Sequence, residues 1–445
     1  MKVIVVGCTH AGTAAVINTA RLHKDAQITV YERNDNVSFL SCGIALYVGG
    51  VIKDVEGLFY SSPKELERLG ANIKMKHEVV SIDTTKKVVT IKNLKTEDEF
   101  QDEYDKLIVA TGSWPIVPRF EGIEFENILL SKNFYQANTI IERAKHAKKT
   151  VVIGAGYIGV ELAEAFCNNG KEVTLIDAQD RILSKYLDKE FTDVAEEAFR
   201  DHGVTLAIGE MVERFEGEGR KVRRVVTNKA TYDADLVILC IGFRPNTELL
   251  KGQVDRMKDG AILVDEYMRT SKEDVFAVGD SCTLLYNPTG ERRYIPLATN
   301  AVRTGTLAAR NLVSPTTKHL GTQGTSGIKI FEHNIASTGL TVSQAKEDGI
   351  IAKSVTVVDH YRPEFMPTHE EATLKVVYEE SSKRILGAQI RSETDLTQMV
   401  NTMSVVIQNK MTIDELAFID FFFQPFFNKP WNLLNQAGLQ ANNKE

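Results

Sequence analysis

Two glycine-rich hexapeptides carry the best-defined chemistry in this sequence. Gly154-Ala155-Gly156-Tyr157-Ile158-Gly159 follows an apolar run at 151–153, leads into a helix expected over 160–168, and precedes a second apolar run that ends at Asp177. In that setting Gly154 permits a tight turn, Gly156 lets the backbone approach a pyrophosphate at the helix N-terminus, and Gly159 permits close helix-to-strand packing. Asp177 would accept a hydrogen bond from an adenosine ribose hydroxyl. A carboxylate there repels a 2′-phosphate, which favours NADH over NADPH.

The other hexapeptide, Gly7-Cys8-Thr9-His10-Ala11-Gly12, has Thr9 where the second glycine belongs. Its context still fits a dinucleotide: an apolar run at 3–6 precedes it, a helix from Ala11 is expected, and Glu32 lies 20 residues past Gly12 at the end of the next run. The Thr9 Cβ would hold the backbone further from a phosphate, and its hydroxyl would offer a replacement donor. Ala110-Thr111-Gly112-Ser113 and the segment ending at Asp280 also place small residues at strand ends. Asp280 either caps a helix or binds a polyol hydroxyl, and the sequence leaves both open.

The five cysteines are scattered, odd in number, and form neither a CxxC pair nor a zinc-like spacing. For Cys8, Cys167, Cys240 and Cys282 the reading is a small buried hydrophobe. His10 sits at a helix start, where the positive end of the dipole favours neutral imidazole and a neighbouring thiolate.

The elements that must position these groups follow from hydropathy. Uniformly apolar runs at 3–6, 107–110 and 151–153, each ending in glycine, read as parallel strands buried on both faces, so the class is α/β. From Gly321 the texture changes. Segments 373–378 and 385–390 alternate as half-exposed antiparallel strands do, and the tail from Met411 is rich in Phe, which marks a separate C-terminal domain. At 445 residues, with 43% hydrophobic and 25% charged, two or three domains are expected. Sixty acidic against 53 basic residues give a net charge of −7, without the basic footprint of a nucleic-acid binder. No apolar run approaches the ~20 residues of a membrane span, and no signal-peptide pattern opens the chain, so a cytoplasmic location is expected.

Taken in this order, the motifs resemble the pyridine nucleotide-disulfide oxidoreductases. That resemblance implies two Rossmann-like dinucleotide-binding domains, for FAD (1–115 and 246–320) and NAD (116–245), and a C-terminal α+β dimerisation domain (321–445). Dithiol members carry two cysteines beside the flavin, whereas Ser38-Phe39-Leu40-Ser41-Cys42-Gly43 contains one. A single cysteine is similar to the peroxide- and oxygen-reducing branch. Cys8 to Ala15, Cys42 to Gly50 and Arg362-Pro363-Glu364-Phe365-Met366-Pro367 look most like water-forming NADH oxidases, with NADH peroxidase as the alternative. Coenzyme A disulfide reductase fits less well, because the segment 421–431 lacks a tyrosine.

By this resemblance Cys42 is the redox cysteine, cycling between thiolate and sulfenic acid beside the flavin, and His10 is its active-site base. The resemblance assigns FAD to Gly7, Cys8, Thr9, His10, Ala11 and Gly12 at the pyrophosphate, Glu32 at the ribose and Val79 beside adenine. It adds Ala110, Thr111, Gly112 and Ser113 near the phosphates, Asp280 on the ribityl chain, Leu297, Ala298 and Thr299 beneath the isoalloxazine, and Lys132 near the flavin. NADH is assigned to Gly154, Gly156, Ile158, Gly159 and Asp177, with Tyr186 near adenosine, Gly242, Gly327 in the loop 321–327, and Tyr157 gating the nicotinamide. The implied reaction oxidises two NADH and reduces O2 to water in a homodimer whose C-terminal domain completes the partner's site. In the peroxidase alternative hydrogen peroxide enters instead, and a redox-dependent flavoprotein binding module is the reading from another class.

Overall fold

Val3, Ile4 and Val5 have no exposed surface because the strand Lys2–Val6 runs through the centre of a parallel sheet. In the computed structural model, which describes residues 1–443, that sheet has the order Val275–Ala277, Lys106–Val109, Lys2–Val6, Gln27–Glu32 and Ala71–Met75. The strand before the glycine turn lies between Gln27–Glu32 and Lys106–Val109, and Val275–Ala277, from beyond residue 270, pairs with the latter, so the chain leaves this unit and returns to it. The helices His10–Leu22 and Ala298–Asn311 pack against each other. An antiparallel meander of His77–Asp83, Val88–Asn93 and Glu99–Glu103 lies between the third and fourth strands in sequence.

The second sheet repeats the plan. Thr205–Ile208, Glu172–Asp177, Lys149–Ile153, Leu236–Leu239 and Ile128–Leu130 lie side by side and parallel, with the strand before the second glycine turn again central. Where the chain passes between the two units, Ser113–Pro115 and Phe243–Pro245 pair antiparallel. The outgoing and returning crossings therefore form one ribbon.

The third sheet is antiparallel, ordered Ser326–Ile330, His333–Gly339, Ile385–Ser392, Glu371–Glu379, Ala352–His360. Two expectations change here. The segment 321–327 is a loop only to Thr325, since Ser326 begins a strand. The strands at 371–379 and 385–392 are antiparallel, as expected, yet buried along almost their whole length instead of half-exposed. Helices Met399–Gln408 and Leu433–Asn442 pack on this sheet. Polar side chains of the same strands are buried by the second unit.

That contact centres on Asp188, which is 4% exposed. It precedes the helix Lys189–Asp201 but makes no side-chain cap to it. Its carboxylate instead accepts from Gln389 Nε2 at 2.8 Å, from the Val342 N–H at 3.2 Å and from Lys375 Nζ at 3.2 Å, while its own N–H donates to Gln389 Oε1 at 2.6 Å. Lys375 also reaches Glu190 at 2.7 Å. A buried ion pair adds little relative to an apolar core, but removing one partner strands the other charge. Asp188→Ala leaves Lys375 paired with Glu190 alone and takes the acceptor from Gln389 Nε2 and the Val342 N–H, so it should cost about 1–3 kcal/mol, read as a lower unfolding midpoint. Lys149→Met, which breaks the exposed pair with Asp233, should leave the midpoint unchanged.

Candidate active site

The two glycine turns are built alike down to single hydrogen bonds. The Gly7 N–H donates to Tyr31 O at 2.9 Å and the Gly154 N–H to Ile176 O at 2.7 Å. One residue on, the Cys8 N–H donates to Glu32 Oε2 at 2.7 Å and the Ala155 N–H to Asp177 Oδ2 at 2.5 Å. Gly7 and Gly154 have φ of +89° and +102°, where a side chain is strained, and each lies against the backbone of the neighbouring strand end. Glu32 is buried, which pushes its pKa up, while donors from Cys8 and Asn34 act the other way.

The helices behind these turns start earlier than the sequence suggests, at His10 instead of Ala11 and at Tyr157 instead of Val160. Their N-cap residues, Thr9 and Gly156, make no side-chain cap bond, so helix-end N–H groups point into each turn unclaimed. A Cβ on Gly156 would meet nothing within 4 Å, which marks it as the residue facing open space, and Thr9 is exposed at the matching place. A Cβ on Gly12 or Gly159 would fall 2.0 or 1.8 Å from the carbonyl oxygen of Gly7 or Gly154. The crowded and the open glycines thus divide between packing and ligand approach.

Cys42 is exposed, in a tight turn Ser41–Gly43 that leads into the helix Ile44–Val48, whereas Cys8 and Cys282 are buried. Burial pushes Cys8, Cys240 and Cys282 up to about 12, which keeps them protonated. The Cys42 thiol is also raised, by its surroundings first and then by Glu161, with Lys132 opposing. His10 shares its electrostatic neighbours: burial lowers the imidazole pKa, Asp280 opposes that and Lys132 adds to it.

Asp280 does not cap a helix. Its Oδ2 accepts from Ser113 Oγ at 2.8 Å and lies 3.3 Å from Lys132 Nζ, which also donates to Ser113 at 3.0 Å. Lys132 sits over the Phe243 ring, 4.5 Å from its centroid, so this polar triad spans the ribbon between the two units. Thr111 Oγ1 donates to Asn246 O at 2.6 Å. Leu297 is the N-cap of the helix carrying Ala298 and Thr299, and Val79 is buried in the core of the first unit. Gly112 and Gly242 have positive φ, at strand ends on the two sides of the ribbon.

Tyr157 and Tyr186, expected near the nicotinamide and the adenosine respectively, are in contact, with ring centroids 4.4 Å apart. Tyr157 OH also shares a 2.7 Å hydrogen bond with Ser326 Oγ, one residue before Gly327. Glu161, one helical turn past Tyr157 and raised to about 7 by burial first and then by Glu164, was absent from the sequence reading although the i, i+4 spacing places it on the same face. Tyr60, which bonds to His10, had no sequence signal, because 50 residues separate them.

These residues fit two dinucleotides. Each turn offers uncapped helix N–H groups facing open space and an acid at the next strand end. Among the described residues His10 Nε2 is buried without a partner, the kind of atom a polar cofactor would satisfy.

The sequence profile for pyridine nucleotide-disulphide oxidoreductases matches residues 1–305, and that for the dimerisation domain of the same family matches residues 325–433. An NADH oxidase of Enterococcus faecalis is 56% identical over 444 residues, covering 99% of this chain and 100% of its own. One from Lactococcus lactis is 41% identical over 446 residues, covering 99% of this chain and 100% of its own. The structure of the water-forming NADH oxidase from Lactobacillus brevis bound to NADH superposes with a TM-score of 0.98 at 53% identity, covering 100% of this chain and 98% of that one. The chain belongs to the pyridine nucleotide-disulphide oxidoreductase family.

Proposed function

We propose that this protein is an FAD-dependent oxidoreductase that oxidises NADH and reduces O2 to water, with Cys42 and His10 completing the reduction. The observation that carries the reading is one exposed cysteine whose loop is tied through Ser38 to the first of two acid-closed glycine turns, and which feels Glu161 on the helix that leaves the second. Similarity to NADH oxidases along the whole chain supports it.

The residues take the following parts. The turn at Gly7–Gly12 with Glu32 holds FAD, and Ser113, Lys132 and Asp280 lie along it. The turn at Gly154–Gly159 with Asp177 holds NADH. Bound FAD would supply the two-electron relay between NADH and oxygen. Cys42 reduces hydrogen peroxide formed on the way: its thiolate attacks one oxygen, an S–O bond forms, the O–O bond breaks, and sulfur becomes sulfenic acid. His10 supplies a proton from Nε2 to the leaving oxygen, which departs as water. A second NADH returns the sulfur to thiolate. The sum is two NADH, two protons and O2 giving two NAD+ and two waters.

Asp177 sets the choice of dinucleotide. Its carboxylate is tied to the turn by the Ala155 and Gln179 N–H groups, so it cannot swing away from a 2′-phosphate without breaking both bonds. An engineered NADPH oxidase derived from the Lactobacillus brevis protein carries G159A and D177A among its changes, at a glycine and an aspartate that bear the same numbers here. The active unit is a homodimer. Phe418, Phe422, Phe426 and Phe427 are each more than 60% exposed within one chain, and the partner's matching domain would cover them and complete the site.

Two outcomes are expected. With limiting NADH in aerated buffer, the purified protein should consume one O2 for two NADH and accumulate no peroxide. Cys42→Ser should shift to one O2 per NADH with peroxide released. Negligible oxygen uptake with rapid NADH-dependent peroxide removal would contradict the proposal and identify a peroxidase. Asp177→Ala should improve kcat/KM for NADPH relative to NADH by about tenfold or more, the size of a lost charge repulsion at close range, read from initial rates with each nucleotide.

A further inference from the structure

Tyr60 reaches the centre through a chain of contacts that begins at the first glycine turn. The Ser38 N–H donates to Cys8 O at 2.9 Å, which ties the cysteine loop to the turn. The same loop is then laced to the segment 58–61. Leu40 N–H donates to Leu58 O at 2.8 Å, Phe39 and Phe59 form a β-bridge, and Ser38 Oγ both accepts from the Ser61 N–H at 2.9 Å and donates to Ser61 O at 2.7 Å. These bonds hold Tyr60 beside His10. Its hydroxyl lies 3.0 Å from His10 Nδ1, and the two rings are parallel within 3°, with centroids 5.6 Å apart. The other ring nitrogen, Nε2, is buried and has no partner among the described residues.

We propose that Tyr60 is a positioning residue for His10: its hydroxyl donates to Nδ1, which places the imidazole proton on Nε2, and it replaces that proton through Nδ1 after Nε2 has given it up. The direction follows from acidity. A phenol is a stronger acid than a neutral imidazole N–H, and an imidazole nitrogen is a stronger base than a phenol oxygen, so the O–H···N arrangement is preferred. Burial pushes the Tyr60 phenol up to about 12, so it stays protonated and able to donate through the neutral range. Burial also holds His10 neutral, with Asp280 opposing and Lys132 reinforcing the shift. A neutral imidazole carries one proton, and the bond it makes at one nitrogen decides which nitrogen carries it.

The inference rests on the role given to His10 above, and its proton balance closes there. When the Cys42 thiolate takes one peroxide oxygen, the leaving oxygen takes the Nε2 proton and becomes water. The Tyr60 proton moves to Nδ1; Nε2 then takes up a solvent proton by way of the product water, and Nδ1 returns its own proton to the phenolate, which restores the starting tautomer. One thiolate, one peroxide and one solvent proton thus give one sulfenic acid and one water.

The test has a spectroscopic arm and a kinetic arm, both on the intact FAD-loaded protein. In protein labelled with 15N-histidine, with the His10 signal assigned from His10→Gln, the parent should show Nε2 protonated and Tyr60→Phe should show a mixture of the two tautomers. A parent protonated at Nδ1, or an unchanged tautomer in Tyr60→Phe, overturns the proposal. On mixing the NADH-reduced enzyme with peroxide, Tyr60→Phe should form sulfenic acid about tenfold more slowly. Replacing Tyr60 with 3,5-difluorotyrosine restores a hydroxyl that ionises at lower pH. That variant should recover the rate at acidic pH and lose it as pH rises through its own phenol ionisation, a fall the parent does not show there. Equal rates and pH profiles in all three proteins overturn the proposal. If the parent fails to oxidise NADH at all, the functional reading fails, while the tautomer arm still decides the role of Tyr60.

Discussion

The bond from a buried or half-buried carboxylate to the second residue of a glycine turn is the constraint on which the rest depends. Glu32 to the Cys8 N–H and Asp177 to the Ala155 N–H fix the end of one strand to the turn that ends its neighbour. With that bond made, the helix N-terminus, the open face of the turn and the acid cannot move independently. The first turn also sets the position of His10, which is the first residue of the helix that leaves it. Through the bond from Ser38 to Cys8 O, it sets the cysteine loop as well. The chemistry proposed for Cys42 is therefore positioned by the same feature that would hold a dinucleotide.

Much of this was legible in the sequence, because glycine spacing and strand hydropathy are local. The apolar runs at 3–6, 107–110 and 151–153 are strands of parallel sheets, and both glycine turns lie at their ends. Thr9, which breaks the first fingerprint, occupies the place of Gly156, the glycine of the second fingerprint whose Cβ would meet open space, so the turn tolerates it. The helices began earlier than expected because hydropathy registers the apolar face and not the first turn, where His10 and Tyr157 sit.

What the sequence did not reveal was long-range. Alternation suggested half-exposed strands in the C-terminal sheet, but Lys375 and Gln389 are buried by Asp188 of another unit, and no local pattern reports that. Asp280 looked as much like a helix cap as a ligand, and only the arrival of Ser113 and Lys132 shows that its carboxylate is engaged elsewhere than at a helix end. Tyr157 and Tyr186 carried separate expectations, yet fold into one contact, with Ser326 of the third sheet joining them. Tyr60 is the clearest case, since its bond to His10 exists because two loops are laced together around Ser38.

In the proposed cycle Cys42 stores an electron pair separately from the flavin. An anaerobic titration of the oxidised protein with a measured reductant, following flavin absorbance to its end point, tests it most directly. If the claim is right, the protein takes up one two-electron step more than its flavin requires, and Cys42→Ser takes up only the flavin's own. Equal uptake by the two proteins, with Cys42 shown by mass spectrometry not to be over-oxidised in the parent, would contradict it.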